Sequence, residues 1–259
     1  MKFWKLQDLK KGDFLKLICF EQCGSTNDYI KQNLDSLSHG TVVSADFQTK
    51  GRGRIGRSFE GEKGTQAAFS VLFKDTGIDT SVFMPVIAGV VVCKALSSIT
   101  KCDFGIKWPN DILINSKKIC GILCDRKKDC TVVGIGINLL QAQDFFSHNK
   151  LPDASSVFIE CGKKISPQDA VKAVCEELFK CYELFLREGK REILEEYRKS
   201  CLTLGLSCQS GDFEGVAVDI LDDGSLLLKN AESELSVNSG EVVVRLAQSE
   251  YLPKIPQIL

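Results

Sequence analysis

Residues 67–74 read AAFSVLFK, apolar at almost every position. A strand with one wet face alternates between apolar and polar side chains, whereas one without alternation is buried on both faces. This segment therefore belongs in the middle of a sheet, and the rest of the chain is arranged around it. Residues 40–48 (GTVVSADFQ) read as the strand before it, and residues 81–99 as a mostly apolar helix covering the sheet. Residues 104–108 (FGIKW) form a short strand that Pro109 breaks, that resumes over 111–114, and that turns at Asn115, Ser116 and Lys117. Residues 118–125 and 131–139 then pair across the polar turn 126–130. Residues 144–156 lack periodicity and read as a loop.

Two helix starts are marked by their caps. Ser25-Thr26-Asn27-Asp28 precedes Tyr29, Ile30, Leu34 and Leu37, a cap cluster followed by helical spacing. Ser166 precedes Pro167, the favoured residue for a first helical position. Val171, Val174, Leu178, Tyr182 and Phe185 then make one apolar stripe that ends near Gly189, and a second helix runs to about Cys201. From Leu206 the pattern changes to short β runs (VAVDIL, SLLLKN, LSVN, EVVVRL) with turns at Asp223-Gly224 and Ser239-Gly240. That is the pattern of a small antiparallel barrel of about forty residues. The expected fold is α+β or α/β: a mixed-sheet domain over residues 1–203, a β module over 204–247 and a tail over 248–259.

Composition narrows the function classes. Hydrophobic residues make up 44% and charged residues 26% of the 259, with a formal net charge of -1. That balance does not suit a general nucleic-acid binder. The twelve cysteines include no Cys-x-x-Cys pair, and there are two histidines, so no zinc site is expected. We read the thiols as small core hydrophobes of a protein in a reducing cytoplasm. The apolar run 82–93 contains Pro85 and is too short for a bilayer, and the charged start MKFWKLQDLKKGDFLKL has no secretory apolar core.

Against this neutral background stands QTKGRGRIGR, residues 48–57. Lys50, Arg52, Arg54 and Arg57 repel one another on a backbone whose glycines are costly to order, about 1–2 kcal/mol per residue. An anionic ligand would supply the missing energy. Glycines let backbone N–H groups approach it, and arginines offer forked donors to phosphate or carboxylate. No Gly-Lys-Ser/Thr follows, so this is not a Walker loop. The plain alternative is a solvated basic turn. A second constellation is Lys107-Trp108-Pro109-Asn110-Asp111 with Lys118-Ile119-Cys120-Gly121-Ile122-Leu123. Here Lys107, Asn110, Asp111 and Lys118 would converge at one end of the sheet; otherwise this is a buried tryptophan beside a structural turn. A third is Gly134-Ile135-Gly136-Ile137-Asn138, where glycines within a strand admit either a ligand or tight packing.

Taken together, Ser25-Thr26-Asn27, Gln48, the GRGRIGR loop, KWPND, KICGIL and GIGINL resemble the biotin–protein ligases, also called biotin–[acetyl-CoA-carboxylase] ligases, over about residues 20–245. The resemblance implies that biotin and ATP form biotinyl-5′-adenylate, and that biotin then passes to one lysine of a biotin carboxyl carrier domain. It implies Lys118, Arg54 and Asp111 as catalytic residues, with Asp111 receiving or steering the acceptor amine's proton. It places Ser25, Thr26, Asn27, Gln48, Gly51, Arg52, Arg54, Lys118 and Gly121 at biotin. Arg54, Arg57, Lys107, Trp108, Asn110, Lys118 and Asn138 fall to the nucleotide. No protein metal site is implied; Mg²⁺ accompanies the triphosphate. The β module resembles the family's SH3-like C-terminal domain.

Too few residues precede Ser25 for the winged helix that lets some relatives repress genes, so no DNA partner is expected. No membrane partner is expected either, and family members occur as monomers or homodimers. The chain departs from many relatives at Phe59, where a tryptophan is common, with Glu60 and Glu62 following. Two rivals remain: a lipoate or octanoate ligase or transferase, which shares the catalytic fold, and a nucleic-acid-binding module.

Overall fold

The computed structural model describes residues 16–54, 56–74, 82–238 and the backbone of 243–244. The expected turn at Ser239-Gly240, the tail over 248–259 and the helix start at Ser81 lie outside the described residues. The first sheet takes β1 (Leu17–Phe20), β2 (Val42–Ala45), β3 (Gln66–Lys74), β4 (Gly105–Lys107), β5 (Asp111–Ile114), β6 (Lys117–Lys127) and β7 (Cys130–Asn138). Its spatial order is β1-β2-β3-β7-β6-β5-β4. β1 and β2 are parallel and the remaining neighbours antiparallel, so the sheet is mixed, as expected.

β3 lies inside the sheet and is buried from Gln66 through Phe73. Its alternate residues serve two cores. Phe69, Val71 and Phe73 pack toward α2 (Met84–Thr100), α5 (Pro167–Glu188) and α6 (Arg191–Ser200). Leu72 faces the other way, joining Ile30, Leu34, Val43 and Val132 beneath α1 (Thr26–Gln32). Each such fully buried side chain contributes about 1.5–3 kcal/mol. The caps act as the sequence implies: Ser25 Oγ accepts from the Asp28 N–H, and Ser166 Oγ from the Asp169 N–H.

Three expectations are corrected. Residues 111–114 do not resume the strand before Pro109. The chain reverses through Trp108, Pro109 and Asn110, and β5 runs back along β4 with Lys107 opposite Asp111. Residues 144–156 are not all loop: α3 (Gln143–His148) occupies part of the span, and α4 (Val157–Cys161) follows it. Six residues are too few to display a helical period. Regular pairing of the strand expected over 40–48 covers only Val42–Ala45.

The C-terminal sheet comprises β8 (Ser207–Ser210), β9 (Phe213–Ile220), β10 (Leu226–Lys229), β11 (Glu234–Val237) and β12 (Val243–Val244), in the order β11-β10-β9-β8-β12. All its pairings are antiparallel. It is tied to the first sheet near the Pro109 turn. The Trp108 indole N–H donates to the Gly224 carbonyl at 3.0 Å, and the Trp108 backbone N–H donates to Thr203 Oγ1 at 3.0 Å.

Candidate active site

On the α1 side of the first sheet, one cross-strand row is almost without side chains. Asp111 stands opposite Gly121, Gly121 opposite Gly136, Gly136 opposite Ala68, and Ala68 opposite Ala45. A row of glycine and alanine leaves a trough where larger residues would fill the face. A cavity of about 250 Å³ opens along part of this row, with Gly121, Gly134, Gly136 and Asp111 among its lining residues. At Gly136 glycine is required by what lies against it, whereas at Gly121 a Cβ would make only ordinary contact. A Cβ on Gly136 would stand 2.6 Å from the Phe59 ring, and one on Gly121 would be 3.6 Å from it.

The wall at one end is the start of α1. Ser25, Thr26 and Asn27 are all buried and line the cavity. The Thr26 backbone N–H donates to Gln48 Oε1 at 2.7 Å, and its hydroxyl donates to the same oxygen at 3.1 Å. Asn27 Nδ2 donates to the Leu123 carbonyl at 3.2 Å. Ser70 Oγ lies 2.6 Å from Thr26 Oγ1 and 2.5 Å from Asn27 Oδ1. Sequence reasoning did not single out Ser70, although a lone hydroxyl within AAFSVLFK was a usable signal.

The arginine loop forms a small hairpin. Arg52 pairs with Ser58 as an antiparallel bridge, and the Phe59 N–H donates to the Gly51 carbonyl at 3.1 Å. The tip closes by Gly53 N–H to Arg57 O at 2.8 Å; Ile55 lies outside the described residues. Gly51 is packed against the Phe59 carbonyl, 2.3 Å from where its Cβ would be, so only glycine fits. Gly51 thus serves the hairpin's root and does not line the cavity, whereas Arg52, Arg54, Arg57 and Phe59 do. Arg54 Nη1 donates to Asn110 Oδ1 at 3.2 Å. Arg52 Nη1 is 2.7 Å from Asp28 Oδ1.

The opposite wall is the Pro109 turn with the start of β6. Lys107, Trp108, Asn110, Asp111 and Lys118 all line the cavity, so the convergence expected for the second constellation is found. Lys118 Nζ sits 2.7 Å from Asp111 Oδ1. Asn110 Nδ2 donates to the Ile122 carbonyl at 2.8 Å. Trp108 is 3% exposed, with its indole N–H engaged by Gly224, so it buttresses the turn.

Asn138 is not brought to the cavity. It is buried, its Nδ2 donates to the Ser155 carbonyl at 3.0 Å, and its Oδ1 accepts from Gln141 at 3.3 Å. Ser155 in turn donates its N–H to the Lys118 carbonyl at 2.9 Å, and the Lys118 N–H donates to the Asp153 carbonyl at 2.8 Å. Asn138 therefore fastens the segment running beside Lys118. Among the described residues, no cluster of three or more His, Cys, Asp or Glu could hold a metal ion, and no helix is long and apolar enough to cross a membrane. None of the twelve cysteines is bridged in a disulfide, and burial pushes the Cys120 and Cys124 thiols upward, Cys124 to about 12.

Comparison with known proteins agrees with this arrangement. The profile of the Biotin/lipoate A/B protein ligase family matches residues 19–140, and that of the Biotin protein ligase C terminal domain matches residues 206–245. The Bifunctional ligase/repressor BirA of Bacillus spizizenii is 30% identical over 218 residues, which is 80% of this chain and 67% of that protein. The Biotin–[acetyl-CoA-carboxylase] ligase of Mycobacterium tuberculosis is 28% identical over 234 residues, covering 86% of each chain. The biotin protein ligase of Aquifex aeolicus, solved in complex with biotin and ATP, superposes with a TM-score of 0.78 at 29% identity, over 88% of this chain and 98% of that one. The fold, the matched motifs and these relatives together establish that the chain belongs to the biotin/lipoate A/B protein ligase family, as a biotin protein ligase.

Proposed function

We propose that the cavity binds biotin beside ATP, joins them as biotinyl-5′-adenylate, and then gives biotin to a lysine of a biotin carboxyl carrier domain. The observation that carries this reading is the pairing of two unlike walls over one glycine floor. Ser25, Thr26 and Gln48 offer hydrogen-bonding groups on one side, and Arg54, Lys107 and Lys118 gather positive charge on the other. A small polar ring system fits the first wall, and a carboxylate meeting a phosphate fits the second.

In the first step the biotin carboxylate attacks the α-phosphate of ATP, the α–β phosphoanhydride bond breaks, and pyrophosphate leaves. Both partners are anionic, so placed cations lower the barrier chiefly by electrostatics and positioning. Lys118 stands between the two anions. Its contact with Asp111 holds the ammonium at the edge of the glycine row, ready to turn toward them. Arg54, held by neutral Asn110, keeps its full charge for the phosphate. Arg57 and Lys107 line the nucleotide end.

A magnesium ion fits this site only as a companion of ATP. Asp111 is the one carboxylate among the cavity's lining residues, and such an ion is ordinarily held by substrate phosphates with one or two carboxylates. When bound it neutralises triphosphate charge.

In the second step a neutral carrier lysine attacks the acyl-adenylate and AMP leaves. Asp111 receives or steers the amine's proton. The arginine hairpin covers the mixed anhydride and keeps water from it. The twelve unbridged thiols support a reducing compartment, the cytoplasm, as the place of action.

The test is direct. The purified chain is incubated with biotin, ATP, Mg²⁺ and an isolated carrier domain, and the carrier is weighed by mass spectrometry, with lipoate offered in a parallel reaction. A mass gain with biotin alone is expected. A gain with lipoate alone, or no gain with either, overturns the reading.

A further inference from the structure

The first arginine of the loop is committed to the scaffold. Arg52 Nη1 lies 2.7 Å from Asp28 Oδ1 and 3.8 Å from Asp125 Oδ2. Lys31 Nζ closes the cluster, 3.0 Å from Asp28 Oδ1 and 2.7 Å from Asp125 Oδ2. Two cations and two carboxylates from the loop, α1 and β6 thus balance to zero charge. Burial alone would raise the Asp28 carboxyl, but hydrogen bonds and charge from Lys31 and Arg52 outweigh it and hold that carboxyl below its usual value.

The cluster is rooted in the cavity wall itself. Asp28 follows Ser25, Thr26 and Asn27 in the first turn of α1, and its N–H is the one that Ser25 caps. Asn27 Nδ2 reaches both the Leu123 carbonyl and, at 3.3 Å, Asp125 Oδ2. Arg52 leaves the backbone where the hairpin closes against Ser58, at the root and not at the tip. The two arginines therefore differ in kind. Arg54 rests on a neutral amide, while the charge of Arg52 is already matched.

We propose that Asp28, backed by Asp125, is a positioning residue for biotin activation: through Arg52 it pins the root of the arginine hairpin to the rigid start of α1, so that the tip carrying Arg54 and Arg57 closes over the ligand from a fixed hinge. This rests on the ligase reading above. An isolated exposed ion pair contributes little to stability. The effect here is geometric: it sets where the tip lands, and small misplacements of catalytic groups are costly in rate.

Two measurements separate this proposal from the ligase reading. Hydrogen exchange of residues 51–59 needs no turnover. Exchange there is expected to quicken in Asp28→Asn and to stay near wild type in Asp28→Glu and in Asp35→Asn, a change in an exposed pair with Lys128. Biotin-dependent ATP–pyrophosphate exchange then gives KM and kcat. Asp28→Asn is expected to raise the biotin KM and the rate of adenylate release about 10- to 100-fold, with a smaller change in kcat. In an Arg52→Gln background the same substitution should add nothing, because the two residues act as one unit. Unchanged exchange over 51–59 in a folded Asp28→Asn, or effects that multiply in the double variant, overturn the proposal. A wild-type enzyme without biotin-dependent turnover overturns the ligase reading, and the hydrogen exchange still decides the anchoring.

Discussion

Gly134 and Asn27 interlock: a Cβ on Gly134 would stand 2.2 Å from Asn27 Oδ1. The absence of a side chain at one residue of β7 is what lets the start of α1 sit on the sheet, where Asn27 reaches Leu123 and Ser70.

From this contact follows the first prediction. Gly134→Ala should cost about 1–3 kcal/mol by overpacking and should displace Asn27 together with its neighbour Thr26. Thermal denaturation will read the first effect, and a raised biotin KM the second. A variant as stable and as tight as wild type would show that the wall does not depend on the gap.

Lys118 is expected to matter for rate more than for stability. Its Nζ makes an ion pair at the cavity edge and supports no core packing. Lys118→Met should lower kcat of adenylate formation by about 10²–10³-fold, as expected when one preorganised charge donor is lost, with little change in melting temperature. Single-turnover formation of biotinyl-adenylate measures this.

Arg54→Gly should form the adenylate slowly and release it early, so that proteins other than the carrier become labelled. Arg54 lies in the covering hairpin and reaches Asn110 across the cavity, so its removal disturbs the hairpin and not the sheet. Retention of the intermediate as tightly as in wild type would show that the hairpin does not shelter it.

Trp108→Phe removes the indole donor to Gly224 while keeping the aromatic packing. Loss of one hydrogen bond should cost about 0.5–1.5 kcal/mol, which for a chain of this size lowers the melting temperature by about 2–4 °C. Because this bond ties the C-terminal sheet to the Pro109 turn, the nucleotide KM should rise along with it. A melting shift without any change in KM would confine Trp108 to stability.

The acid response of the fold offers a further check on Asp28. Its carboxyl titrates below its usual value in the folded state, so it contributes stability above the unfolded-state value, and that contribution fades as pH falls through the depressed folded-state range. Wild type should therefore exceed Asp28→Asn in stability at neutral pH, and the two should converge in strong acid. Parallel curves throughout acid titration of denaturant midpoints would contradict the ion-pair account.

Much of this molecule is written locally in its sequence. Ser25 and Ser166 cap the helices they announce, Gly189 ends α5, and AAFSVLFK lies inside the sheet. These signals depend on neighbours within a turn or on a two-residue period, so a linear reading captures them. The motifs were legible for a similar reason: GRGRIGR and KWPND each concentrate charge and turn residues in a few consecutive positions. Tertiary structure alone decided the rest. It turned residues 111–114 back along β4, withdrew Asn138 and Gly51 from the cavity, and aligned Asp111, Gly121, Gly136 and Ala68 into one floor. It also joined Arg52 to Asp28 and Asp125, residues far apart in the chain. Strand register and the docking of α1 set these contacts, and both are settled by packing across the whole sheet, which no short stretch of sequence contains.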